Sequence, residues 1–208
     1  MSTTLADFQH RFEPATAGSG SPLLLLHGTG GSEDDLIPLA REVAPGAALL
    51  APRGRVLEGD MPRFFRRLAA GVFDEDDLRS RTDELAAFIA AARAEYNLRA
   101  PIAVGYSNGA NIAASLLLQC PGVLAGAALL RSMPPFRAPP TTRLDGTPVL
   151  LLTGERDTLI PPQHAAELAR QLAAGGAAVE QQRLPGGHRI GHEDVHRLAA
   201  WLAARIEA

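Results

Sequence analysis

Residues 102–118 read IAVGYSNGANIAASLLL, and the fold of the whole chain is decided by how this stretch is read. A continuous apolar run ending at Tyr106 suits a strand buried on both faces. The segment from Ser107 to about Gln119 reads as a helix. Between them, Gly105-Tyr106-Ser107-Asn108-Gly109 matches G-x-S-x-G. A sharp strand-to-helix turn holds such a serine in a strained conformation with its hydroxyl projecting from the sheet edge. Flanking glycines are required because side chains there would collide with neighbouring backbone. The motif is short and recurs by chance, so its placement between a buried strand and a helix is what makes it informative.

The same alternation extends in both directions. Upstream, Phe8, His10 and Phe12 alternate with polar neighbours in the manner of an edge strand. After the turn-rich AGSGSP at 17–22, PLLLLHG at 22–28 reads as a buried strand, and Ala47–Ala51 as a short one. Ser32 and Asp35 predict a capping box for a helix presenting Leu36, Leu39, Ala40 and Val43 on one face. Leu78, Leu85, Ile89, Ala92 and Tyr96 share one side of a long helix. Downstream, Val123–Leu130, Pro148–Thr153 and Val179–Leu184 read as strands. Pro161 and Pro162 open a helix that Gly175 and Gly176 end. A closing helix carries Val195, Leu198, Ala199, Leu202 and Ile206 on one face. Alternation of this kind predicts a mainly parallel α/β sheet of about seven strands with helices on both faces. No linker or repeat divides the chain, so residues 1–208 are expected to form one domain.

Bulk properties narrow the partners. With 20 basic and 23 acidic residues, the net charge of −3 offers no attraction for nucleic acid or anionic membranes. The N-terminal MSTTLADFQHRFE has no apolar core, so neither a secretory signal nor a membrane span is expected. Cys120 is the single cysteine, which excludes an internal disulfide and fits a reducing cytoplasm. Exposed positions on outer elements are compatible with a homodimer, which the sequence neither requires nor forbids.

A serine hydroxyl needs a base to become nucleophilic, and the base needs an acid to orient it. In this fold the chain order is serine, acid, histidine. His188, in the loop Leu184-Pro185-Gly186-Gly187-His188 after the last strand, is the expected base, ahead of His192. Asp157, in the loop after the strand at 148–153, is the expected acid, ahead of Glu155. The oxyanion of an acyl-transfer intermediate needs two backbone N–H donors. Asn108, which follows the serine, and Thr29, in His27-Gly28-Thr29-Gly30-Gly31, are the candidates. That glycine segment lacks both the third glycine of a dinucleotide loop, since Glu33 stands there, and the lysine of a phosphate loop.

His192-Glu193-Asp194-Val195-His196 formally matches H-E-x-x-H. A catalytic zinc requires a third protein ligand, and only Glu207 could supply it downstream, so no metal site is expected.

In order, HGTGG, PRGRVLEGDMPRFFRRLAAGVFDEDDL, GYSNGA, GERDTLIPP and GGHRIGHEDV resemble the bacterial carboxylesterases of the phospholipase/carboxylesterase branch of the α/β-hydrolases. The acyl-protein thioesterases belong to the same branch. The resemblance spans nearly the whole chain and assigns Ser107, Asp157 and His188 to the triad and Thr29 and Asn108 to the oxyanion hole. It implies hydrolysis of small carboxylic esters in the cytoplasm without a cofactor; some members are associated with resistance to quinone-like compounds. The thioesterase relatives usually carry Gln where Asn108 stands. A thioesterase, a lysophospholipase and a low-turnover small-molecule receptor are the alternatives.

The connection from Arg131 to Pro148 is too short and proline-rich to build a cap domain. The insertion from Pro52 to Asp76 holds Met61, Phe64, Phe65 and Phe73 among Arg53, Arg55, Arg63, Arg66 and Arg67. It is expected to wall a shallow apolar pocket, with Met61, Phe64, Phe65 and Ile160 as lining residues. Aromatics packed under a loop, and arginines on a solvated face, are the plainer expectation for the same residues.

Overall fold

The computed structural model describes residues 4–17 and 20–206. Gly18 and Ser19 of the expected turn, Met1–Thr3 and Glu207 lie outside the described residues. Among the described residues, eleven strands and five α-helices follow in the order β1 (His10–Glu13), β2 (Leu23–Leu26), α1 (Ile37–Val43), β3 (Leu49–Pro52), β4 (Val56–Glu58), β5 (Met61–Arg63), β6 (Arg67–Ala69), β7 (Val72–Phe73), α2 (Glu75–Glu95), β8 (Ile102–Tyr106), α3 (Asn108–Gln119), β9 (Gly126–Leu130), β10 (Pro148–Gly154), α4 (Pro162–Ala174), β11 (Ala178–Leu184) and α5 (His192–Ala203).

Seven strands form one sheet in the order β1-β3-β2-β8-β9-β10-β11. Every pairing is parallel except that of β1 with β3. The apolar strand runs alternate strictly between the two faces, as a period of two demands. Leu24, Leu26, Ala103, Ala127, Leu129, Val149 and Leu151 pack beneath α2, α3 and α4. Leu23, Leu25, Ile102, Val104, Ala128, Leu130, Leu150 and Leu152 pack against α1 and α5. Both faces are therefore covered, which is why these strands read as unbroken apolar runs. No helix or strand lies between Leu130 and Pro148, so that connection leaves the strand ends without a cap.

The crowded point is the β8–α3 turn. Ser107 has φ 52° and ψ −112°, outside the helical and extended regions. A Cβ on Gly109 would lie 2.0 Å from the Leu26 carbonyl oxygen, and one on Gly105 would lie 2.7 Å from Ala110 Cα. Only hydrogen at these two positions lets α3 descend directly onto the ends of β2 and β8.

One expectation is corrected. The helix after Ser32 starts later, at Ile37, with Leu36 as its N-cap. Ser32 Oγ instead donates to Asp35 Oδ1 at 2.8 Å in the preceding turn, so neither side chain caps the helix. The insertion, for which the sequence declares no elements, folds as two antiparallel hairpins, β4–β5 and β6–β7. Their strands of two or three residues are too short to declare a period of two in the sequence. No described helix is long and apolar enough to cross a membrane.

The elbow geometry yields a stability prediction. Gly109→Ala should destabilise the protein by about 3 kcal/mol or more, the upper end of overpacking costs, because backbone rather than a flexible side chain must move. Urea unfolding should show a lowered midpoint with an unchanged slope.

Candidate active site

Three loops at the C-terminal edge of the sheet converge on Ser107. His188 Nε2 lies 3.0 Å from Ser107 Oγ, and His188 Nδ1 lies 2.9 Å from Asp157 Oδ2. Asp157 follows β10 and His188 follows β11, so adjacent parallel strands deliver acid and base to the same edge. The Asp157 side chain is 2 % exposed, against 20 % for His188. Burial alone would raise the Asp157 pKa. The hydrogen bond from His188, with those from Ile160 N–H at 3.0 Å and Leu159 N–H at 2.8 Å, outweighs burial and holds the carboxyl below its ordinary value. The geometry thus places an ionised acceptor against one imidazole nitrogen and a hydroxyl against the other.

The competing residues stand elsewhere. Glu155 is exposed, and its N–H donates to the Leu184 carbonyl. His192 and His196 are exposed on α5. Among the described residues no group of three or more His, Cys, Asp or Glu side chains is arranged to hold a metal ion.

The N–H groups of Asn108 and Thr29 make no hydrogen bond to another described residue, so both donors are open. Asn108 begins α3, where the helix leaves its first N–H groups unpaired. Its side chain is buried and serves the scaffold: Oδ1 accepts from Phe64 N–H at 2.7 Å. Thr29 is set by His27 and Arg63, neither of which the sequence marks as a site residue. His27, buried at the end of β2, accepts from Gly54 N–H at Nε2, 2.9 Å away. Its Nδ1 therefore carries the hydrogen and donates to the Gly28 carbonyl at 2.6 Å. Burial lowers the His27 pKa and favours this neutral tautomer. Arg63 Nη1 donates to Thr29 Oγ1 at 2.6 Å, and Gly30 N–H to the Pro62 carbonyl at 2.9 Å. The β4–β5 hairpin is thereby fastened to the glycine loop.

Tyr106, the variable residue before the serine, is a further addition. Its hydroxyl donates to the His188 carbonyl at 3.2 Å, and burial raises its pKa, which keeps the phenol protonated. No local pattern marks either His27 or Tyr106; only their position beside expected site residues could have drawn attention to them.

The expected pocket residues divide. Phe64 is 3 % exposed and Phe65 0 %, both within the main core, so these rings cannot form a ligand-facing surface as expected. Their apolar bulk seals the insertion onto α2 and α3 instead. Met61 is exposed and lies against Gly30; Ile160 is half-buried beside Asp157. A cavity of about 300 Å³ opens along Gly28, Thr29, Tyr106, Arg189 and Ile190. Another of about 270 Å³ lies between Phe73, Met133, Phe136 and His164. The five arginines of the insertion all face carboxylates: Arg53 faces Glu33, Arg55 faces Glu84, Arg66 faces Asp74, and Arg63 and Arg67 share Glu58.

Comparison with known proteins agrees with this fold. No protein-family model matches the chain. "Putative hydrolase MhqD" of Bacillus subtilis (strain 168) is 46% identical over 200 residues, covering 95% of this chain and 99% of that protein. The carboxylesterase of Bacillus cereus superposes with a TM-score of 0.93 at 42% identity, covering 96% of this chain and 95% of that one. A carboxylesterase from Mesorhizobium loti gives a TM-score of 0.91 at 37% identity, with 98% and 97% of the two chains covered. A chain so alike in sequence and fold to these hydrolases belongs to the carboxylesterase branch of the phospholipase/carboxylesterase family, within the α/β-hydrolase superfamily.

Proposed function

We propose that this protein is a single-domain serine carboxylesterase that hydrolyses small carboxylic esters through an acyl-enzyme on Ser107. The observation that carries the reading is the continuous hydrogen-bond line from Ser107 Oγ through both nitrogens of His188 to Asp157. His188 takes the serine proton at Nε2 as Oγ bonds to the ester carbonyl carbon. Asp157 holds the Nδ1–H tautomer and stabilises the imidazolium without taking its proton. The carbonyl oxygen, now an oxyanion, is received by the N–H groups of Thr29 and Asn108. His188 returns the proton to the leaving alcohol as the carbon–oxygen bond breaks. Water repeats the cycle: its proton goes to His188, its oxygen bonds to the acyl carbon, and Ser107 recovers its hydrogen as the acid departs.

Short and medium acyl chains are the expected substrates; the open edge above the site, with no helix or strand between Leu130 and Pro148 to build a cap, supports that reading. The protein is expected to act in the cytoplasm; its one thiol, Cys120, is pushed up to about 11 by burial and stays protonated. No step calls for a cofactor.

Hydrolysis of p-nitrophenyl acetate and butyrate tests the reading. Ser107→Ala and His188→Ala should each lose on the order of 10⁴–10⁶ in kcat, while a chelator leaves the wild type unchanged. Retained turnover in Ser107→Ala would overturn the nucleophile assignment. Matched ester and thioester substrates should favour the ester; the reverse preference makes the enzyme a thioesterase.

Asp157 makes a separate prediction. Asp157→Asn should lower kcat by about 10⁴-fold at neutral pH, since the wrong imidazole tautomer is then stabilised. Because the folded carboxyl is the stronger acid, its ionised form adds stability above the unfolded value of about 3.9. That contribution vanishes as pH falls through the lower folded value. The stability gap between wild type and Asp157→Asn, measured by urea unfolding, should therefore shrink on acidification and not on raising pH.

A further inference from the structure

The loop that carries His188 contains Gly186 and Gly187 and would be mobile if left to its own backbone. Three consecutive carbonyls of that loop are nevertheless held by side chains from elsewhere. Arg131 Nε donates to Gly187 O at 2.8 Å and Arg131 Nη2 to Arg189 O at 3.2 Å. Tyr106 Oη donates to His188 O between them.

Arg131 directly follows β9 in the left-handed region, at φ 57°, and its side chain is 0 % exposed. All five of its N–H donors are used. Nη1 donates to Asp194 Oδ1 at 2.8 Å and to Leu152 O at 3.2 Å, and the second donor of Nη2 goes to Asp194 Oδ2 at 2.6 Å. Asp194, buried on α5, also accepts from Gly191 N–H at 2.8 Å. A buried guanidinium so neutralised and saturated has nothing left to offer a substrate. Its backbone neighbours belong to the same frame: Leu130 O accepts from Ser107 N–H, and Arg131 N–H donates to Leu152 O on the strand that leads to Asp157.

We propose that Arg131, locked by Asp194, is a positioning residue that fixes the His188 loop so that the imidazole stays between Ser107 and Asp157. The inference rests on the triad reading above. Five donors shared among Gly187, Arg189, Leu152 and Asp194 by one planar fork cannot be reproduced by an ammonium, which has three donors in a different geometry. Asp194 is also the centre of the H-E-x-x-H match, so the residue that matters in that stretch is the buried aspartate and not the exposed histidines.

Arg131→Lys keeps the charge opposite Asp194 but loses the fork. Arg131→Met with Asp194→Leu removes charge and fork together while filling the space, an exchange that buried ion pairs often tolerate. Both should keep KM within about twofold and lower kcat by about 10²-fold, the effect expected of a displaced reacting group. Tm should stay near the wild-type value in at least the double variant. The low-field proton resonance of the His188–Asp157 hydrogen bond should broaden or vanish in both. Folded variants with wild-type kcat and an unchanged resonance would overturn the proposal. NMR relaxation on the wild type tests it without any variant: residues 186–191 should have backbone order parameters near 0.85, and values under about 0.6 would overturn it. Ser107→Ala and His188→Ala in the same assay separate the two readings. If they remain active, the triad assignment fails; if they are inactive while the Arg131 variants match wild type, only the positioning role fails.

Discussion

The descent of α3 onto the ends of β2 and β8 is the constraint on which the rest of the site depends. Hydrogen at Gly105 and Gly109 permits it, and the consequence is a serine held at φ 52° at the end of a strand. Such a backbone persists only where its surroundings over-determine it. Here Ser107 N–H is bound to the Leu130 carbonyl, Asn111 N–H to the Ser107 carbonyl, and the Asn108 side chain to Phe64 N–H. The same close approach leaves the Asn108 N–H at the helix start open toward the edge of the sheet. Strain, a hydroxyl held at the strand end and an open donor are therefore one packing event.

Around this point the protein depends on forked cations rather than on a large apolar pocket. All 20 of its basic residues are arginine. Arg63 joins a hairpin to the Thr29 side chain, Arg53 ties the strand end to Glu33, and Arg131 spans β9, β10, the His188 loop and α5. A planar guanidinium suits this task because its donors diverge in fixed directions and can bind several acceptors at once. Each of the insertion's five arginines is paired with a carboxylate, two of them sharing Glu58.

The placement of the aromatic residues shows where pattern reading loses its grip. Phe64 and Phe65 are adjacent, so a period of two would send them to opposite faces, yet both are buried in one core. They lie on the link between two hairpins, where backbone direction changes from residue to residue and no period applies. Ser32 and Asp35 have the spacing of a capping box, but their side chains bond to each other one turn early. Spacing specifies which groups are within reach of one another; it does not say which of two nearby partners is taken.

What the amino-acid sequence determined by itself is the strand–helix alternation, the two-faced burial of the central strands and the identity of the three residues now aligned at the sheet edge. These follow from short-range causes: side-chain periodicity, the sterics of glycine and the order of loops along a parallel sheet. Tertiary structure alone decided how those loops are held. His188 meets Ser107 across 81 positions, and Arg131 meets Asp194 across 63. Nothing near Arg131 in the chain announces that its five donors will all be satisfied inside the protein, because each acceptor is a backbone carbonyl or a carboxylate supplied by a distant segment. Carbonyls are present at every residue and so carry no sequence signal; only folding selects the few that a buried guanidinium can reach.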